Sequence, residues 1–354
     1  MRKLLFALWA LMLLPMAASA RKYKAVYRDG TSIYYELKKG YAYVASSPNG
    51  YSGDLSIPGT IDDNLNCIEI IDCETGDKVA WLVIKDGEIV YIPDSYLGWA
   101  AFSVRGFCEN ALDGCTNLTS ITFRSRYFDI PGGLFKDCDN LKEIKIGQNA
   151  FPQGGDLFSP DGSCAVMTSY SHGDVLVAGC KNTKIPSNTK RIDANAFLGC
   201  KGLKEITIPE GVKTIERKAF AGTGLTKITI PESVQLIKDS AFADCTNLQS
   251  VIIYGDKTPA TYSTSPDAGT YFWETAFDGC KKLTSVTVKS GSIRSGSGFS
   301  GSALKEVHLE EGVDSIGGFE GCKGLTSITI PNSVKKNILW CLREHWPDFY
   351  NNSK

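Results

Sequence analysis

Histidine is scarce in this sequence and net charge is nearly absent. The three histidines, His172, His308 and His345, are scattered through 354 residues. They fall on a predicted hairpin turn, a predicted strand and a stretch near the C-terminus, and no motif joins them. The strings G-x-S-x-G, H-E-x-x-H and G-x-x-x-x-G-K-[ST] are missing, as is a calcium loop of alternating acids closed by glutamate. Cys341-x-x-x-His345 resembles half of a thiol or metal site but has no partner ligand. No catalytic, cofactor-binding or metal-ligating set is therefore expected, and no cofactor. With 38 basic against 39 acidic residues the formal net charge is −1. That balance excludes a basic footprint for nucleic acid or a polybasic membrane patch. Long apolar runs are lacking too. Beyond the first twenty residues none approaches the ~20 apolar residues that a bilayer span requires, so no membrane span is expected.

What is present begins with a leader. Arg2 and Lys3 precede an apolar run from Leu4 to Leu14, then Pro15, then Ala18-Ser19-Ala20 as a small-residue cleavage site. This predicts a signal peptide over 1–20, cut between Ala20 and Arg21, and an exported protein that is secreted, at the cell surface or periplasmic. The first cysteine, Cys67, is too distant for a lipoprotein anchor. Hydrophobic residues at 43% and charged ones at 22% are globular values, whereas 35 glycines exceed what a helical protein needs. Disorder, collagen and a long coiled coil are excluded.

The twelve cysteines are too thinly spread for a small stapled domain. Instead, Cys115, Cys138, Cys200, Cys245, Cys280 and Cys322 each close a four-residue string, as in Phe197-Leu-Gly-Cys200 and Phe242-Ala-Asp-Cys245. A recurring position calls for a period. Leu118, Leu141, Leu203, Leu225, Leu248, Leu283, Leu304 and Leu325 anchor Leu-x-x-Ile-x-Ile or a close variant, at separations of 23, 62, 22, 23, 35, 21 and 21 residues. The unit is about 22 residues. Ile-x-Ile has the period of a strand, and the following proline, as in Pro209 and Pro231, stops it. Val-x-x-Ile is too short for a stable helix, and Ala-Phe-x-x-Cys reads as one turn of helix or 3₁₀ closing each coil. Stacked units would bury their Leu, Ile, Val and Phe in one continuous core, with the thiols as buried free cysteines.

The string Leu-x-x-Ile-x-Ile-Pro-x-x-Val-x-x-Ile-x-x-x-Ala-Phe-x-x-Cys, seen in Leu225 to Cys245, resembles the BspA-like leucine-rich repeat family of exported bacterial proteins. The resemblance covers roughly residues 112–335. It implies a β-rich solenoid: a leucine-rich repeat array of about 22-residue rungs with a parallel concave sheet. Asp161 to Pro186 is similar to a hairpin insertion of such arrays, and Tyr34-Tyr35 with Tyr51 to Pro58 to the family's opening module. Ile316-Gly-Gly-Phe319 is shortened, Ser295-Gly-Ser-Gly-Phe299 lacks the alanine and cysteine, and Phe277 follows a long insertion; irregular rungs are expected there.

The chain divides into a signal peptide (1–20), a β-hairpin N-terminal cap (21–95), the repeat array (96–335, with insertions at 147–184 and 254–273) and a C-terminal cap (336–354). The N-terminal hairpins are predicted from Lys24–Tyr27, Ile33–Leu37 and Tyr41–Val44, with another pairing Trp81–Ile84 and Ile89–Ile92 around Asp86-Gly87. Ile338, Leu339, Trp340, Leu342 and Trp346 at helical spacing predict a short amphipathic helix over the last rung. In the first insertion, equal spacing about His172 sets Cys164 opposite Cys180, a candidate disulfide on an oxidising export route.

If the Leu and Ile positions point inward, the residues between them form a solvent face. Glu205 and Glu306 share one column with Ser120, Glu143, Lys227, Ser250, Ser285 and Ser327, which reads as a solvated surface and not as a catalytic carboxylate pair. Ser250-Ile252-Tyr254 departs from the small or charged rule. The candidate partner-binding patch is Ile252, Tyr254, Tyr262, Tyr271, Phe272 and Trp273, with His308 at its margin, because Trp and Tyr dominate binding hot spots. The competing expectation is that Phe272 and Trp273 fold inward and seal the core. The leading functional expectation is an exported, non-enzymatic protein that binds an extracellular protein or glycan, as the family resemblance implies for adhesion or host interaction. A passive cell-envelope scaffold is the alternative, and a hydrolase with a spatially assembled site is third.

Overall fold

The computed structural model describes residues 22–334 except 28, 39–40, 59–66, 75–77, 82–83, 86–87, 90–103, 125–127, 147–156, 161, 171–172, 256–269, 273–274, 295–297, 318 and 320. The predicted leader, Tyr262, Trp273 and the predicted C-terminal helix lie outside the described residues. Among those described there are strands and turns but no helix. The chain forms two compact units, one of Met1–Ser47 with Pro58–Ala111, the other of Pro48–Ile57 with Leu112–Lys354.

The first unit holds a six-stranded sheet. Lys22–Tyr27 pairs antiparallel with Ser32–Lys38 and with Cys67–Asp72. Tyr41–Val44 extends one side, antiparallel to Ser32–Lys38 and parallel to Val104–Phe107. Alternation does the work here: Tyr23, Ala25 and Tyr27 are buried from one strand, and the Tyr27 and Tyr35 hydroxyls meet at 2.9 Å in the interior. Cys67–Asp72, unforeseen from the sequence, pairs with Lys78–Trp81. The hairpin expected around Asp86-Gly87 is present among the described residues as Ile84–Lys85 paired with Glu88–Ile89, while Trp81, expected in it, pairs with Glu69 in the larger sheet.

The second unit is built on parallel ladders. Gly53–Ile57 pairs with Leu118–Phe123, which pairs with Glu143–Ile146. Gly53–Ile57, within the stretch expected as an N-terminal cap, is thus hydrogen-bonded to the first repeat copy. Further along, Lys227–Ile230, Ser250–Tyr254, Ser285–Arg294, Glu306–Leu309 and Ser327–Thr329 form a second parallel ladder. Equivalent positions align: Ile228, Val251, Val286, Val307 and Ile328 are in register, and all are buried. The Val-x-x-Ile segments end in short strands of their own. Thr189–Ile192, Thr214–Ile215, Leu236–Ile237 and Thr270–Phe272 pair in parallel, one copy to the next. Ser285–Arg294 belongs to both ladders, and its last residues pair with Thr270–Phe272 and Val313–Ser315.

Two expectations are corrected. Leu203 to Pro209, read as a strand, carries no strand pairing. Leu203 and Ile208 are nevertheless buried, so the core dictates the side-chain pattern even where the insertion parts this copy from Glu143–Ile146 and the backbone ladder lapses. Ala-Phe-x-x-Cys is a hydrogen-bonded turn and not a turn of helix. Asn195, Lys218, Ser240 and Thr275 before it have φ of 55 to 62°, and the residue before the cysteine is also left-handed, as at Gly199, Asp244 and Gly279; a right-handed helix cannot pass through either. The copies expected to be irregular keep the core intact. Phe197, Phe220, Phe242, Phe277, Phe299 and Phe319 stack in one column with centroid spacings of 5.0, 5.1, 5.0, 4.6 and 5.0 Å and interplanar angles of at most 9°. The missing alanine and cysteine around Phe299 are tolerated because the ring column and the backbone bonds beside it, such as Phe277 N–H to Gly298 O at 2.8 Å, do not need them.

The cysteine column lies beside the rings and is buried at every repeat cysteine. Three of the thiols reach back one copy: Cys138 donates to Leu112 O at 3.0 Å, Cys245 to Phe220 O at 3.1 Å, and Cys280 to Phe242 O at 3.2 Å. Burial raises the Cys200 thiol to about 12. Thr223 and Ser302 occupy the same position in their copies, a substitution by hydroxyls that the cysteine pattern alone conceals. The disulfide considered for Cys164 and Cys180 is not formed; both are free thiols. Their strands do oppose one another, since the pairs Tyr170–Gly173 and Ala165–Gly179 bracket a bulge that shifts the register by one residue. The Cys180 sulfur, however, lies 3.9 Å from the Cys164 carbonyl oxygen, and Thr183 Oγ1 donates to that same oxygen at 2.5 Å.

Candidate functional site

The side of the five-stranded ladder away from the core carries the residues between the buried positions. One row across it is Thr229, Ile252, Thr287, His308 and Thr329, in register. The row beside it is Lys227, Ser250, Ser285, Glu306 and Ser327. Period-two geometry makes this face: Val251 and Ile253 are fully buried, so Ile252 and Tyr254 must point the other way. Tyr254 is 39% exposed, and among the described residues the exposed large hydrophobic side chains are Tyr41, Tyr254 and Ile330. His308 stands two strands from Ile252, about 10 Å at ordinary strand spacing. Its Nε2 is 3.4 Å from Glu306 Oε2, with both side chains more than half exposed. Lys289 forms an ion pair with Glu310, which raises the lysine above its ordinary value through that hydrogen bond.

Ile252, Tyr254 and His308 therefore share one face. Tyr271 and Phe272 stand on the other ladder: Tyr271 is in register with Leu236 and Arg294, and Phe272 with Ile237. Tyr262 and Trp273 belong to the stretch outside the described residues. Among the described residues no group of three or more His, Cys, Asp and Glu is placed to hold a metal, and no helix is long and apolar enough to cross a membrane.

A second polar face covers the three-stranded ladder; the repeat pattern places Ser120, Thr122, Arg124, Glu143 and Lys145 on it, and the structure adds the strand Gly53–Ile57. Asp54, Ser120 and Glu143 are in register, as are Ser56, Thr122 and Lys145. Asp54 accepts hydrogen bonds from Ser120 Oγ at 2.7 Å and Thr119 Oγ1 at 3.0 Å, while Arg124 Nε donates to Ser56 Oγ at 2.9 Å. The signal was there. Leu55-Ser-Ile57-Pro58 repeats the Ile-x-Ile-Pro pattern of the later copies.

Hydrogen bonds from Ser120 and then Thr119 hold the Asp54 carboxyl below its ordinary value. A carboxylate depressed in the folded state adds stability above its unfolded pKa and loses it as pH falls through the folded one. The Asp54→Asn variant should melt slightly below the parent at neutral pH, and the difference should close as the pH falls from the ordinary aspartate value of about 3.9 through the lower folded-state one, where the parent's side chain also becomes neutral. A gap that persists unchanged in acid would assign the effect to shape and not to charge.

The BspA type leucine rich repeat region matches this chain in six copies, over residues 101–162, 177–258 and 254–338. The chain belongs to the BspA-type leucine-rich repeat family. No curated protein gives a significant sequence match. Among solved structures, the chain is similar to the pneumococcal vaccine antigen PcpA, with 17% identity over 90% of this chain and 96% of that one and a TM-score of 0.37. A leucine-rich repeat protein from Eubacterium ventriosum has 16% identity over 90% and 92% of the two chains, with a TM-score of 0.37. A leucine rich cell surface protein from Faecalibacterium prausnitzii has 19% identity over 88% and 89%, with a TM-score of 0.33.

Proposed function

We propose that this leucine-rich repeat protein is an exported, non-enzymatic binding protein, whose solenoid of about 22-residue rungs presents the outer face of its five-stranded ladder to an extracellular protein or glycan. One observation carries the reading: Tyr254 is exposed on the same face as the half-buried Ile252 and the His308–Glu306 pair. A tyrosine offers large contact area with few rotors, and the histidine, carboxylate and threonine hydroxyls around it supply hydrogen-bonding groups for a polar ligand. Tyr271 and Phe272 stand on the other ladder, where Phe272 aligns with the fully buried Ile237, so the proposed patch centres on Ile252, Tyr254 and His308.

The test is a screen of the mature protein on glycan and extracellular-matrix arrays, followed by Tyr254→Ala and His308→Ala. A hot spot at Tyr254 predicts a loss of affinity of about thirtyfold or more, from the ~2 kcal/mol typical of such residues, with an unchanged melting temperature. A ligand bound equally well by both variants would remove the site. Failure to find any saturable ligand would favour a passive envelope scaffold.

A further inference from the structure

In two places along the thiol column a cysteine stands directly on a cysteine. Cys115 is stacked with Cys138, and Cys245 with Cys280. The backbone brings them together: Gly114 N–H donates to Lys136 O at 3.0 Å, and Asp244 N–H to Asp278 O at 2.7 Å, just ahead of the thiols. The later thiol of each pair leans into the earlier copy, Cys138 donating to Leu112 O at 3.0 Å and Cys280 to Phe242 O at 3.2 Å, each a carbonyl of the string that its paired cysteine closes. Copies at this level are about 5 Å apart, as the stacked Phe242 and Phe277 rings show at 5.0 Å, inside the 4.4–6.8 Å window of Cα separations that a disulfide spans. Hydroxyls flank the second pair. Thr223 lies against Cys245 on its other side, with Oγ1 3.1 Å from the sulfur, and Ser302 occupies the copy between Cys280 and Cys322.

We propose that Cys115–Cys138 and Cys245–Cys280 are two dithiol modification sites, each oxidised to a disulfide between neighbouring copies by a small disulfide of the glutathione class. In a local opening that admits the small disulfide to these buried thiols, one cysteine thiolate attacks it, forming a mixed disulfide and releasing one small thiol. The stacked cysteine then displaces the second small thiol and closes the protein disulfide. Two cysteine thiols lose two protons and two electrons, and one small disulfide becomes two thiols. Cys115 is the better placed for the first step, because the Tyr51 N–H donates to its sulfur at 3.3 Å and so favours the thiolate. This site is independent of any partner-binding face.

The experiment equilibrates the mature full-length protein with glutathione and glutathione disulfide, approached from both the reduced and the oxidised side. Remaining thiols are alkylated, and the protein is digested without reductant and mapped by mass. At oxidising ratios the expected products are a peptide pair joined through Cys115 and Cys138 and another through Cys245 and Cys280, each two hydrogens lighter than its parts, while Cys322 is joined to no other cysteine. Cys280→Ser should abolish the second link and leave the first. Recovery of both pairs as alkylated thiols or as separate glutathione adducts overturns the proposal, as does Cys280 joined to Cys322.

Discussion

Phe242→Ala is expected to cost about 3–5 kcal/mol of unfolding free energy, read as a lower urea midpoint at unchanged slope. Phe242 is fully buried and stacks on Phe220 at 5.1 Å and on Phe277 at 5.0 Å, so truncation removes two ring contacts as well as the buried area. The cavity cannot collapse readily. Phe220 N–H is tied to Ala241 O at 2.7 Å and Phe242 N–H to Ala276 O at 2.8 Å, which pins the backbone on both sides of the missing ring. Ordered neighbours that stay in place leave the full cavity cost, so the loss should fall in the upper part of that range. An unchanged midpoint would mean that the ring column does not hold the copies together.

Period-two and repeat signals made the inward residues legible, because burial of Leu, Ile, Val and Phe is what a stacked core selects. Ile252, Tyr254 and His308 were placed on the outward face by the same arithmetic. What escaped was set by backbone conformation. The second left-handed position is filled by Asn195, Lys218, Ser240 and Thr275, and only the first of these is a residue type that advertises such a conformation. Without it the Ala-Phe segment reads as a helical turn. Tyr271 and Phe272 escaped for a different reason. An insertion that lengthens the spacing to 35 residues hides the anchor, yet Ile192, Ile215, Ile237 and Phe272 each stand five residues before a stacked phenylalanine. Counting backward from Phe277, instead of forward from Leu248, recovers the ladder position of Phe272. The column at the cysteines was likewise obscured by looking for one residue type, when Thr223 and Ser302 fit the same corner.

The backbone junction between the two ladders carries the last expected effect. Ser285–Arg294 lies beside Ser250–Tyr254 through Ser290, then crosses to Thr270–Phe272 and Val313–Ser315. Gly291 makes the crossing, with φ of 72°, a conformation that costs an L-residue about 1–2 kcal/mol. Gly255 lies against it so closely that a Cβ on Gly291 would fall 2.0 Å from Gly255 O and 2.5 Å from its carbonyl carbon. Neither strand can withdraw freely, since Gly255 N–H donates to Ser290 O at 2.8 Å and Gly291 N–H to Gly312 O at 3.0 Å. Overpacking of this kind adds about 1–3 kcal/mol, so Gly291→Ala should lose about 2–5 kcal/mol in all. Gly30→Ala separates the two contributions. Gly30 has φ of 83° but nothing within 4 Å of an added Cβ, so it should lose only the conformational part. Equal losses in the two variants, measured by urea unfolding, would show that the approach of Gly255 and Gly291 does not constrain the junction.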